Sequence, residues 1–381
     1  MILGRLKEQF SHELTERIIP FWLKYSSDSI WGGYFNVISS KGEVVVADKD
    51  IVWQAQQCYT FIELFRYDSS VPDFLVYAQS GADFLLKITE NQKNDWPKTV
   101  DRTGRIVLIA NDYEAEACCV LAWAAMSDLT NEPKYVAAAK QTLLKLFKKR
   151  DKKYTIFDTE IRQHKNLGEL TAIAKALLEA RAIVGEKYFI EKSTLLLGEL
   201  DSHFWEPRAN IILENVALSG GYCESIKGRR VNVGKIFEAA VVFIDLAMIL
   251  KKKRIVQKLT NQVIYIANNT WDEKYGGYFS VMDIKSGDGI DAEYQNKALS
   301  VQLAALVALQ KISPTTNNLE IEKLWQRTHD YAWLHYPDRS TEGEWKHLLN
   351  QQGEPITKLK ASSTHGAYQS ARLLVKLLRT M

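Results

Sequence analysis

The chain has 381 residues, 46% hydrophobic and 25% charged, with a formal net charge of +3, which is the profile of an ordinary globular protein and excludes a disordered or fibrous one. Its lysines and arginines are scattered, which speaks against nucleic acid or an anionic membrane as partner. No run reaches the roughly 18 apolar residues of a membrane span, the start MILGRLKEQF lacks a signal-peptide core, and Cys58, Cys118, Cys119 and Cys223 show neither metal-ligand nor disulfide spacing. A soluble cytoplasmic protein with reduced thiols, no metal and no cofactor is the expectation.

Helical periodicity, caps and breakers predict twelve helices, near 3–24, 51–67, 72–88, 112–128, 132–148, 166–183, 187–204, 232–250, 253–270, 293–311, 317–336 and 363–380. No Pro/Ser-rich linker divides them, so residues 1–381 read as a single domain. The second helix reaches the third through YDSS, the fourth reaches the fifth through LTN, and the eighth reaches the ninth within KKK. The other connections are far longer. They carry WGGYFNVISSKGEVVV, WPKTVDRTGRIVL, SGGYCESIKGRR, YGGYFSVMDIKSGDG and GEWKHLLNQQGEPI, each with the aromatic, β-branched and Gly content of a short β-hairpin.

The helices alternate in character. EAEACCVLAWAAM, LTAIAKALLEA, FEAAVVFIDLAMIL and ALSVQLAALVAL are apolar around most of their circumference, while YVAAAKQTLLKLFKKRDKK and RIVQKLTNQVIYIAN keep one polar face. Inner and outer helices in alternation, with short returns at one end and long loops at the other, predict an all-α (α/α)6 barrel. Such a six-hairpin toroid would carry short β-hairpins in the long loops at the active-site mouth. WGGYFNV and YGGYFSV echo each other as members of such a repeat. An irregular helical bundle is the competing expectation.

In a barrel of this kind the first turns of the inner helices face the mouth. That places Trp53, Gln56, Gln57 and Tyr59 there from the second helix, and Asp112, Tyr113, Glu114 and Glu116 from the fourth. Glu169 comes from the sixth, Lys235 and Glu238 from the eighth, and Tyr294, Gln295 and Lys297 from the tenth. The last helix offers His365, Tyr368, Gln369 and Arg372, and the hairpins add Trp31, Tyr34, Trp96, Tyr222, Tyr278 and Trp345. An aromatic rim around carboxylates, amides and a few cations suits a small molecule with ring faces and hydroxyls, as a sugar has. Plainer roles are open for each: Asp112 as a helix N-cap with Glu114 favouring the dipole, Lys235 paired with Glu238, Arg372 locking Glu238 or Glu116, and the hairpin aromatics as hairpin core.

WGGYFNVISSKGEVVVADKD followed by QAQQCYTF, then GKIFEAA, DEKYGGYFSV, GEWKHLLNQQGEP and YQSARLL, resemble in order the motifs of the N-acylglucosamine 2-epimerase family. That family includes cellobiose 2-epimerases and aldose–ketose isomerases. The resemblance covers nearly the whole chain. It implies an (α/α)6 barrel and cofactor-free proton transfer at the carbon next to a sugar carbonyl, usually by two histidines. In this chain Gly234–Lys235 stand where one histidine is expected and Tyr368–Gln369 where the other is, with Glu238 and Arg372 retained. Gln56 replaces an arginine, Ala172 and Lys175 replace a His-x-x-Glu, and of the tenth-helix motif Leu299, Ser300, Gln302 and Ala304 keep only the glutamine.

A divergent epimerase or isomerase with a rebuilt acid–base pair is the first functional expectation. Lys235, its pKa lowered in an apolar cavity or engaged as an imine, and His365, four residues before Gln369 on the same face, are the candidate replacements. A second is a cyclase, lyase or hydrolase working through Asp112, Glu114, Glu116, Glu169 and Glu238 on a less polar ligand. A third is a binding protein without turnover. The expected partner is a small molecule, and a homodimer stays open because the family's members are often dimers.

Overall fold

The computed structural model describes residues 2–90, 96–150, 163–285, 294–316, 319–339 and 343–381. Its longer helices are α1 (Ile2–Glu13), α2 (Ile19–Tyr25), α3 (Ile51–Tyr67), α4 (Asp73–Thr89), α5 (Glu114–Thr130), α6 (Pro133–Arg150), α7 (Leu167–Glu179), α8 (Glu186–Glu199), α9 (Val233–Ile249), α10 (Lys253–Asn269), α11 (Leu299–Thr316), α12 (Leu319–His335) and α13 (Ala371–Thr380). Among the described residues no helix is long and apolar enough to cross a membrane. A π turn (Leu14–Ile18) joins α1 to α2, and another (Leu200–Phe204) extends α8.

Two helix starts differ from expectation. The helix foreseen from 363 begins only at Ala371, because 363–370 is spent in turns. α11 begins at Leu299, because Lys297–Ala298 pair as a strand with Leu348–Leu349. The stretch SGGYCESIKGRR is not a hairpin either: after the turn at Gly220 it forms one helical turn, Ile226–Arg229, capped by Ser225. The end of YGGYFSVMDIKSGDG lies outside the described residues.

The chain packs as two compact units, one of residues 1–151, 336–347 and 357–381, the other of 152–335 and 348–356. In the first, α3 lies against α4, α5 and α13, and α5 against α6. Its strands form two sheets, β14-β1-β2 (Leu359–Ala361, Val37–Ser39, Val44–Val46) and β3-β4-β5 (Lys49–Asp50, Pro97–Val100, Ile106–Ile109). In the second, α9 lies between α7 and α11, with α10 and α12 outside them. Its two-stranded sheets are β6-β9 (His164–Asn166, Asn215–Ala217), β7-β8 (Trp205–Glu206, Ile211–Ile212), β10-β11 (Arg230–Asn232, Val281–Asp283) and β12-β13 (Lys297–Ala298, Leu348–Leu349).

Short strands run directly into helices, and the side chain at the junction is the cap. Asp50, Asn166 and Asn232 accept from the backbone N–H of Trp53, Gly168 and Lys235 at 3.0, 2.8 and 3.1 Å. This fixes where α3, α7 and α9 begin and which side chains occupy their first turns.

The echo between WGGYFNV and YGGYFSV is structural. In the first unit Gln54 accepts from Tyr34 N and donates to Tyr34 O, both at 2.7 Å. Lys49 donates to Asp28 at 3.1 Å and to the Gly32 carbonyl at 2.6 Å. In the second, Gln302 holds Tyr278 N and O at 3.0 and 2.9 Å, and Lys297 donates to Asp272 at 2.8 Å and to Gly276 O at 2.5 Å. The carbonyls can turn toward each lysine because Gly32–Gly33 and Gly276–Gly277 adopt positive φ, between 70° and 80°.

Candidate functional site

The candidate site residues of the second unit include two polar side chains of α9. Lys235 and Glu238 are one turn apart on an otherwise apolar helix, so they share a face. Each is held by a different partner. The Lys235 ammonium lies 3.0 Å from Glu214 Oε1, and Glu214 Oε2 accepts from Asn232 N at 2.8 Å. Glu214 is buried, whereas the Lys235 side chain is 37% exposed. Glu238 forms an ion pair with Lys175 from α7, and its side chain is 31% exposed. These two ion pairs keep a cation and an anion one turn apart with part of each open. Glu169 is buried in the first turn of α7.

Tyr294 stacks on Phe279 at 5.2 Å between ring centroids. Gln302, the retained glutamine of the tenth-helix motif and a candidate ligand contact, has no exposed surface, and both ends of its amide are engaged by the Tyr278 backbone. It is a framework residue.

In the first unit, α3 and the turn before α13 form one wall. Gln369 Nε2 donates to Gln56 Oε1 at 3.2 Å, and Gln369 Oε1 accepts from Gly366 N at 2.9 Å. Both glutamines are half-buried, so their amides can still meet a ligand. Trp53 lies beneath them: its indole N–H points at the His365 carbonyl at 3.5 Å, and a side chain on Gly366 would strike its ring at 2.8 Å. Arg372 bends back over Tyr368, its guanidinium 3.7 Å from the ring and its Nε donating to the Tyr368 carbonyl at 3.0 Å. Glu238 has Lys175 as a partner, and Glu116 has Lys149.

His365 departs from its expected role. It is 2% exposed, and its imidazole stacks on His347 with centroids 4.7 Å apart and planes within 6°. Burial holds its pKa well below the ordinary histidine value, so it is neutral but shielded from any ligand. Trp345 is corrected likewise: fully buried, it donates its indole N–H to Glu13 at 2.9 Å and belongs to the core.

The fourth-helix residues divide. Asp112 precedes the helix and accepts from Glu114 N at 3.0 Å, the capping role left open for it, and Tyr113 occupies the N-cap position with Glu114 in the first turn. Glu116 is buried and ion-paired to Lys149 at 2.6 Å. Together with Trp96, Trp123, Lys87 and Lys145 this pair lines a groove of about 550 Å³ along α4, α5 and α6. Trp31 is exposed at the tight turn around Asp28.

Three further candidates were not singled out by the sequence. Glu214 lies in the irregular stretch LENVAL, and nothing in its neighbourhood announces that it reaches Lys235. Lys175 stands where the family resemblance leads one to expect a glutamate, and that inversion of charge opposite Glu238 was the available clue. His347 sits in GEWKHLL, where only the fold reveals its contact with His365.

The model of the N-acylglucosamine 2-epimerase (GlcNAc 2-epimerase) family matches residues 33–369. The N-acylglucosamine 2-epimerase of Mus musculus is 22% identical over 97% of this chain and 90% of its own length. Among solved structures, the cellobiose 2-epimerase from Bacillus thermoamylovorans B4167 superposes with a TM-score of 0.83 at 17% identity, covering 99% of this chain and 100% of the other. A D-mannose isomerase superposes at 0.84 with 14% identity, over 99% and 98%. These likenesses show the fold to be an (α/α)6 barrel.

Proposed function

Because this chain belongs to the N-acylglucosamine 2-epimerase family, we propose that it moves a proton at the carbon next to the carbonyl of a sugar, through Lys235 and Glu238. The observation that carries this reading is the pair of separately anchored charges on one turn of α9. Lys235, its ammonium oriented by Glu214, hydrogen-bonds the carbonyl oxygen and makes the neighbouring C–H more acidic. The Glu238 carboxylate takes that proton, and the C–H electron pair moves into the carbonyl to give an enediolate stabilised by the ammonium. Return of that proton from Glu238 to the same carbon, after the enediolate has turned its other face to the carboxyl, gives the epimer. Return to the former carbonyl carbon, after proton exchange between the oxygens, gives the aldose–ketose isomer. In this scheme one carboxylate carries the proton and a fixed cation holds the oxygen charge, in place of the two histidines usual in the family.

Solvent-deuterium incorporation, read by mass spectrometry across aldoses, ketoses and N-acetylhexosamines, tests this. One or more of these sugars should gain deuterium at the carbon next to the carbonyl. Glu238→Gln should slow the gain by about 10²–10⁴-fold. No incorporation by folded protein, with sugars still raising its thermal stability, would replace this reading with that of a binding protein.

A further inference from the structure

The stacked histidines of the first unit have no part in that chemistry, yet they bear on the glutamine wall. His347 is 6% and His365 2% exposed. Among the described residues, His347 Nδ1 and His365 Nε2 are buried without a hydrogen-bond partner. The one bond that favours a proton on His347 runs to the Leu359 backbone. The charged groups around the pair give a second proton little to bind. The Lys360 cation bears on both rings. Its ammonium is fixed by Asp338 and the Glu344 carbonyl, both at 2.6 Å. The Glu344 carboxyl is occupied by Trp22, Ser370 and the Trp345 N–H. Glu13 is taken by Trp345 and Arg17.

The stack is also the anchor of a turn. Ser362 and His365 close it with bonds of 2.9 and 3.2 Å, and Gly366 N then holds Gln369, which holds Gln56. We propose that His347 and His365 act as proton-sensitive positioning residues. Stacked and neutral, they hold the 362–369 turn that presents the Gln56–Gln369 amide pair and covers Trp53. On protonation they part, and the pair is released. A buried imidazolium would leave an N–H without an acceptor beside a lysine and against a second ring, so the opened turn, where both rings meet water, takes up the protons. The inference stands whichever ligand the chain takes.

Amide hydrogen exchange of segment 362–370, followed by mass spectrometry and corrected for the intrinsic pH dependence of exchange, tests it on the full chain. With both histidines titrating at about 6.5 in the opened turn, each multiplies the opening equilibrium by about 25-fold between pH 7 and pH 5. His347→Phe keeps a stacked ring but removes one proton. Its opening should therefore rise about 25-fold less than that of the wild type over this range. The Glu344 proton, which acts in the opposite sense, cancels in that comparison. The same pH dependence in both proteins would overturn the proposal. Imidazole titration by NMR on the wild type covers the case in which the variant does not fold. The His347 and His365 imidazoles should both titrate well below the ordinary histidine value, and ordinary titration of both near 6.5 would equally overturn it.

Discussion

The Lys297 ammonium stands 2.8 Å from Asp272 Oδ2, with almost no water in reach of either side chain. Lys49 and Asp28 repeat the relationship at 3.1 Å in the other unit, with both side chains fully shielded. The difference lies in a third group, since Arg102 also grips Asp28 with bonds of 2.9 and 3.0 Å. Burial pushes the Asp28 carboxyl up, but Arg102 and Lys49 together hold it far below the ordinary range. Asp272 is lowered with Lys297 as its one side-chain cation among the described residues.

The two lysines should therefore respond differently to replacement. Lys297→Met leaves a buried carboxylate without its side-chain cation and is expected to cost about 3–5 kcal/mol. Lys49→Met leaves Asp28 paired with Arg102 and should cost about 2 kcal/mol, the loss of a charged hydrogen bond. Urea unfolding midpoints at pH 7 compare them. Equal losses would mean that Arg102 does not share the load.

That pairing also shows what could be read in the sequence. The helix pattern and the aromatic-Gly-Gly-Tyr echo come from local periodicity and turn chemistry, so the architecture was legible before any coordinates. The partners of Lys297, Asp272 and Gln351, were not, because they are joined through space by the loop before a distant helix. The same holds at the site. Lys235 and Glu238 declare themselves as charges in an apolar helix, but Glu214 and Lys175, which decide what those charges can do, lie 21 and 63 residues away from their partners. His365 failed as a ligand-facing residue because spacing from Gln369 assumed a helix where the chain makes turns.

Gly81 gives a prediction opposite to helix propensity. It lies inside α4, where Gly→Ala ordinarily gains about 1 kcal/mol. Here the Tyr34 ring presses on the helix, its hydroxyl donating to Tyr77 O at 2.7 Å. An added Cβ would meet that hydroxyl at 2.2 Å and the ring at 2.6 Å. Gly81→Ala is expected to cost about 1–3 kcal/mol, as overpacking does. An unchanged or raised melting temperature would show that Tyr34 moves aside freely.

Glu344 should set the alkaline side of the stability profile. Burial pushes its carboxyl up to about 7 against the pull of its bonds to Ser370 and Trp22. A folded pKa above the unfolded value means that the protonated form is the one the fold prefers. Its contribution is complete below about 4.5, the unfolded value, and is lost as pH rises through 7. Glu344→Gln keeps an acceptor for Trp22 or Ser370 and has no charge to bury, so its melting temperature should fall less than that of the wild type between pH 5.5 and 8. Parallel profiles would locate the titration elsewhere.

Glu214 separates the proposed chemistry from mere architecture. Its carboxylate holds the Lys235 ammonium with one oxygen and the Asn232 N–H with the other. Glu214→Gln keeps the shape and one acceptor, the amide oxygen for the Asn232 N–H, but sets an NH2 donor toward Lys235 and removes the charge that orients the lysine. If Lys235 stabilises an enediolate, misplacing its ammonium weakens the transition state more than the ground state, since charge reaches the sugar oxygen only as the proton leaves. The expected result is a fall in deuterium incorporation of about 10–100-fold with little change in the sugar concentration giving half-maximal rate. A change confined to that concentration would make Glu214 a binding residue and remove Lys235 from the chemical step.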